Sequence, residues 1–175
     1  YATIQEAIEA ASNGDVVLVA QGTYNEALDF IGKAVTVKSA MGPQTTVIDS
    51  LNNWRPVVFK NGEGNDSVLD GFTVTNGKAS GNGGAMAFYG ASPTIINNII
   101  TDNWAYGSDP RGGALFIVNG ASPIIEGNII SHNRAVGGKG GGIFCIGSSV
   151  SRIANNIIHH NIAEFGGGVC LQHNA

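Results

Sequence analysis

The chain has 175 residues, 26 of them glycine, and a formal charge of −4 with 13% charged side chains. No cluster of Lys and Arg is present to neutralise a phosphate backbone, which argues against nucleic acid as a partner. No apolar run reaches the roughly 18 residues needed to span a bilayer, so membrane insertion is not expected either.

The first element is a helix. Ile4, Ala7, Ile8 and Ala11 fall at i, i+3, i+4 and i+7, Thr3 with Glu6 reads as a capping box, and Gly14 supplies a stop. Short β-type runs follow at Asp15–Ala20, Ala34–Lys38, Thr46–Ile48, Val57–Phe59 and Val68–Thr75, each rich in β-branched residues and bounded by turn formers. The expected division is a capping helix in residues 1–12 and stacked β coils in residues 13–175. Both chain ends fall inside running motifs, so a secretion signal is expected upstream and further coils downstream.

From Gly83 onward the sequence repeats. Gly83-Gly84-Ala85-Met86, Ser92-Pro93, Asn98-Ile99-Ile100 and Asn103-Trp104-Ala105 return as Gly112-Gly113-Ala114-Leu115, Ser122-Pro123, Asn128-Ile129-Ile130 and Asn133-Arg134-Ala135. Gly141-Gly142-Ile143-Phe144, Asn156-Ile157-Ile158 and Asn161-Ile162-Ala163 give a looser copy, and Gly167-Gly168-Val169-Cys170 opens another. Ala79, Ala105, Ala135 and Ala163 mark the period, and the length variation is expected in a loop at Tyr106–Arg111. Such a period means stacked supersecondary units, not one globular core.

Period-2 alternation assigns Ala85, Ala87, Ile95, Asn98 and Ile100 inward. Stacking the copies predicts the columns Ala85, Ala114, Ile143, Val169 and Ile100, Ile130, Ile158. It also predicts an amide ladder in the column Phe72, Asn98, Asn128, Asn156. Ile99, Ile129 and Ile157 form an outward series. Cys145 and Cys170 take non-equivalent positions and are expected on opposite faces, unbridged. The glycine triplets at 140–142 and 166–168 lack the Lys-Ser/Thr of a phosphate loop and read as turns with positive φ.

These residues resemble a known family. The opening Tyr1–Ala11, then Gly14-Asp15-Val16-Val17-Leu18-Val19, Gly22-Thr23-Tyr24-Asn25-Glu26 and Thr46-Val47-Ile48-Asp49, looks like the capped start of right-handed parallel β-helix proteins of the pectin-lyase-like superfamily. The Gly-Gly-Gly, Ser-Pro and Asn-Ile-Ile repeats resemble those of large secreted surface proteins. The resemblance implies an all-β, right-handed parallel β-helix with an N-terminal capping helix, at an extracellular or cell-surface location. It does not imply one activity, since a β-helix carries many chemistries. Enzymes of the superfamily act on polysaccharides along the helix flank, with Ca²⁺-binding carboxylates and a basic residue or with a carboxylate pair.

The candidate chemistry lies in one column: Asn76, Asp102, His132 and His160, flanked by His159. Asp102, His132 and His160 are the candidate catalytic residues, as an acid/base ridge or, for the two histidines, as transition-metal ligands; a tolerant, solvated turn is the plainer reading. No spacing matches a closed zinc motif, so no metal ligand is assigned. Trp104, Tyr106, Asp109, Arg111 and Arg134 are the candidate carbohydrate-binding residues, with Arg134 alternatively a cation–π partner of Trp104. The oxygens of Glu63, Asp66 and Asp70 suit Ca²⁺, but their spacing is not diagnostic and no cofactor is assigned. The leading expectation is a polysaccharide-binding module; the alternatives are a polysaccharide lyase or glycosidase completed by further coils, and a structural, adhesin or sheath repeat whose uniform faces, with the outward Ile99, Ile129 and Ile157, pack against other chains. Self-association through an exposed strand edge is a separate expectation.

Overall fold

The computed structural model describes residues 1–147, 149 and 151–172. The chain winds as a parallel β-solenoid whose strands stack into four sheets. Sheet 1 joins strands that begin at Val16, Thr36, Val68, Thr94, Ile124 and Arg152. Sheet 2 joins those that begin at Gly22, Thr46, Thr73, Ile99, Ile129 and Ile157. Sheet 3 holds Lys78–Asn82, Trp104–Arg111, Arg134–Lys139 and Ile162–Phe165, and sheet 4 runs from Leu28 through Val57, Met86, Leu115 and Ile143 to Val169. The first two coils pass from sheet 2 straight to sheet 4; the fourth face appears only from Lys78 onward.

The interior is a set of apolar columns. Val37, Leu69, Ile95 and Ile125 stack from sheet 1, and Ile48, Val74, Ile100 and Ile130 from sheet 2, all at 0% exposure. The expected Ile100, Ile130, Ile158 column is present. Phe59 and Phe88 stack on the inner side of sheet 4 with centroids 5.5 Å apart, and Phe30, just past the first strand of that sheet, packs tilted on Phe59 at 4.6 Å. A buried Val, Leu, Ile or Phe contributes about 1.5–3 kcal/mol, so each added coil brings its own stabilisation.

The column expected to join Ala85, Ala114, Ile143 and Val169 is displaced by one residue. Met86, Leu115, Ile143 and Val169 are the register partners, and Ala85 and Ala114 stack instead toward Gly142. Gly140 and Gly166, not Gly141 and Gly167, share the left-handed turn of Gly83 and Gly112, with φ between 62° and 67°. A one-residue shift moves a side chain to the other face, and Ala87, expected inward, belongs to a separate cluster with Phe116 and Phe144. Positive φ explains only the first glycine of each tract. At Gly113 and Gly141 an added Cβ would lie inside the backbone of the next coil, so close approach is what demands glycine there.

The expected amide ladder is present. Phe72 N–H donates to Asn98 Oδ1 at 2.8 Å, Asn98 N–H to Asn128 Oδ1 at 2.9 Å, and Asn128 N–H to Asn156 Oδ1 at 2.9 Å. Each Nδ2 returns a bond to the preceding coil, to Leu69, Ile95 and Ile125 carbonyls. A second ladder, not anticipated from the repeat, runs through Asn103, Asn133 and Asn161 by the same pattern. A left-handed residue precedes every Asn of both ladders: Asn97, Gly127 and Asn155 in one, Asp102, His132 and His160 in the other.

The helix is Ile4–Ala10, with the capping box formed and Ile4 and Ile8 buried. Glu26 accepts from the Ile4 and Gln5 amides at 2.9 and 2.8 Å, and Lys33 Nζ donates to the carbonyls of Ile8, Glu9 and Ala11 at 3.0, 2.6 and 2.8 Å. Opposite charges thus sit at the two ends where the helix dipole favours them. The loop expected at Tyr106–Arg111 is a bulge within a strand of sheet 3, where the register with the preceding coil jumps from Tyr106↔Ser80 to Arg111↔Asn82. Cys145 pairs in register with Leu171 and Cys170 with Phe144, in different clusters, and both are free. In the outward series Ile99 and Ile129 are half-buried, and only Ile157 is substantially exposed, at 60%.

Two outcomes follow from the bonding. Asn133→Ala leaves the buried Asn103 amide without its acceptor, at about 1–3 kcal/mol, and removes the side-chain bond to the Ile100 carbonyl; it is expected to lower the urea midpoint far more than Asn161→Ala, whose site is half-exposed. Lys33→Met is expected to accelerate amide hydrogen exchange across Ile4–Ala10 while leaving the Asn103–Asn133 coils unchanged; equal protection in both proteins would show that the ammonium does not hold the helix.

Candidate functional site

The second corner of each coil, between sheets 2 and 3, places the candidate column on the surface. Asn76, Asp102, His132 and His160 all have φ between 53° and 57°. Asn, Asp and His are the non-glycine types enriched in that left-handed conformation, so backbone geometry accounts for the residue types in the column. The Asn103 and Asn133 that follow point inward, which turns the preceding side chains out.

Around this corner Asn52, Asn76, Asp102, Asn103, Trp104, His132 and Arg134 line an open groove of about 240 Å³. Four sequence candidates meet there from adjacent coils: Trp104 and Arg134 are register partners in sheet 3, and Asp102 and His132 occupy the two corners just before them. Asp102 accepts from the Thr101 hydroxyl at 2.9 Å. His160 stands beyond His132, with parallel rings 5.2 Å apart.

Trp104 and Tyr106 lie together on the outer face of sheet 3, centroids 5.5 Å apart, exposed by 40% and 38%. The cation over them is Lys78, 5.3 Å from the Trp104 ring and 5.6 Å from the Tyr106 ring. This corrects the pairing expected for Arg134. Lys78 is the register partner of Trp104 in the preceding coil, and its flexible stem reaches back over the rings. The cue available in the sequence was the offset of 26 between Lys78 and Trp104.

A family description of right-handed beta helix regions matches residues 44–175. The chain belongs to the right-handed beta helix family. The match is consistent with the pectin-lyase-like superfamily resemblance and supplies the handedness of the solenoid. No curated protein matches the chain.

In this beta helix Asp109 and Arg111 stand apart from the groove. They sit at the far end of the sheet 3 bulge and pair with each other, and the Arg111 guanidinium lies 5.4 Å over the Phe144 ring of the next coil. The acids considered for Ca²⁺ are also separated by their bonding. Asp70 pairs with Lys38 at 2.8 Å and accepts from Asn97, whereas Glu63 is 2% exposed and accepts from the Gly32 and Asn61 amides at 2.9 Å. Among the described residues no three His, Cys, Asp or Glu side chains converge, in the rotamers they occupy, on one point where a metal ion would sit.

A hydrogen bond from the Arg111 guanidinium holds the Asp109 carboxyl below the usual carboxylate range, opposed in part by desolvation and helped to a lesser degree by the charges of Arg111 and Lys139. A depressed carboxyl contributes stability above its unfolded value and loses it as pH falls through the folded value. Arg111→Met is therefore expected to raise the Asp109 titration midpoint toward the ordinary aspartate value in a carbon-detected NMR pH series; an unchanged midpoint would break the assignment.

Proposed function

We propose that this beta helix is an extracellular or cell-surface module that binds polysaccharide along the corner between sheets 2 and 3. The observation that carries the reading is the groove beside Trp104: a half-exposed indole flanked by Asn76, Asp102, His132 and Arg134. An aromatic face packs against the apolar face of a sugar ring, and a few fixed polar groups orient its hydroxyls. The stacked corners offer the same polar position on successive coils, about 4.8 Å apart, which suits a linear polymer. Tyr106 extends the aromatic surface, and Asp109 and Arg111 fall outside the proposed footprint.

Binding without turnover is favoured over hydrolysis because Asp102 is the one carboxylate lining the groove among the described residues, whereas glycoside hydrolysis uses two acids at a set separation. A glycan array read for both retention and released product tests the reading. Retention is expected, with no product, and Trp104→Ala is expected to weaken it at least tenfold while the unfolding free energy changes by no more than about 1 kcal/mol, as for a partly exposed side chain. Released product would favour the enzyme reading, and no retention on any glycan would favour a structural repeat.

A further inference from the structure

Three imidazoles meet at the corner of the last two coils. His132 and His160 occupy the left-handed corner position, and His159 ends the strand Ile157–His159, in register with Ser131 of the coil before. The His132 and His160 rings lie parallel within 7° at 5.2 Å. The His159 ring stands perpendicular to both, at 5.8 and 4.8 Å. Nδ1 of His159 and Nδ1 of His160 face each other at 2.6 Å. The ion pairs among the described residues are Lys38–Asp70, Lys60–Asp29, Arg111–Asp109 and Arg152–Glu126, and none involves a histidine.

Two ring nitrogens aimed at one point share a single proton or hold a cation between them. Neutral imidazole nitrogen is a preferred ligand of Zn²⁺, Cu²⁺ and Ni²⁺. At metal–nitrogen distances of about 2.0–2.1 Å, two ligands of one ion stand roughly 3 Å apart. The 2.6 Å separation needs only a small opening, and His160 lies on the surface with room to turn. His132 belongs to the adjacent coil, about 4.8 Å below; a rotation of its ring out of the stack supplies a third nitrogen and leaves the fourth position to water.

We propose that His159 and His160 form a solvent-open site for a divalent transition ion, completed on binding by His132. The ion would then tie the last described coil to the one before it, because its ligands come from both. The site shares only His132 with the glycan groove, and the proposal does not depend on that reading.

The test uses tag-free chain in a His173→Ala background, so that the histidine outside the described residues contributes nothing. His159→Ser and His160→Asn introduce residues that this chain already carries at the same repeat positions, Ser131 and Asn76, which keeps the corner foldable. Calorimetric titration with Zn²⁺ is expected to give one site per chain, weakened at least tenfold by either change and unaffected by Trp104→Ala. Cu²⁺ at one equivalent is expected to show nitrogen hyperfine coupling from three imidazoles, falling to two in His132→Asn. Saturating Zn²⁺ is expected to raise the melting temperature of the parent and not of the double variant, by mass action on the folded state. Affinity unchanged in both His159→Ser and His160→Asn, or Cu²⁺ spectra without nitrogen coupling, would overturn the site. Three couplings persisting in His132→Asn would remove His132 from it.

Discussion

Each coil must turn inward at its corners, and there the backbone leaves the sheet ladders with amides and carbonyls that water cannot reach. The side-chain amide of Asn resolves this, because it both accepts and donates within a group short enough to fit inside the turn. Asn128 and Asn133 accept the backbone N–H of the coil before and donate to that coil's carbonyl and to the Asn of the coil after. No buried side-chain nitrogen or oxygen among the described residues lacks a partner. Coil height, coil register and the direction of the chain at two of the corners all depend on this pairing.

The same constraint shapes the surface. An inward Asn requires the residue before it to take the left-handed conformation, and that residue's side chain then faces solvent. The outer ridge is accordingly built from Gly, Asn, Asp and His, the types that tolerate positive φ. Asp102, His132 and His160 therefore meet a backbone requirement first, and the chemistry argued for them is added to a position whose polarity the turn had already fixed. Trp104, Tyr106 and Arg134 answer to no such requirement, since outward positions in sheet 3 accept many residue types, and the glycan-binding proposal rests on them for that reason.

The start and the body of the solenoid are held by different means. At the start, Ile4 and Ile8 cover the apolar stack, with Glu26 and Lys33 binding the helix termini. Along the body, stacked glycines at 84, 113 and 141 let adjacent coils approach more closely than any Cβ would allow. That approach brings register partners such as Lys78, Trp104 and Arg134 within side-chain reach of one another.

Much of the architecture was legible because a repeat states its own register: Ile100, Ile130 and Ile158 align by spacing, and so do Asn98, Asn128 and Asn156. The capping box at Thr3 and Glu6 is likewise local chemistry written in order. The glycine tracts were not readable in the same way, since three identical residues align equally well in two registers and only the hydrogen bonds of Gly140 and Gly166 to neighbouring coils select one. The spacing of Asn103, Asn133 and Asn161 is written in the repeat, but that these amides turn inward to form a second ladder depends on the backbone bend before each of them. The meeting of Lys78 with Trp104, the separation of Arg111 from the groove and the facing nitrogens of His159 and His160 were decided by tertiary structure alone. Sequence periodicity specifies which positions stack; where a long side chain ends, and over which coil it lies, depends on the rotamers and neighbours present once the coils have closed on one another.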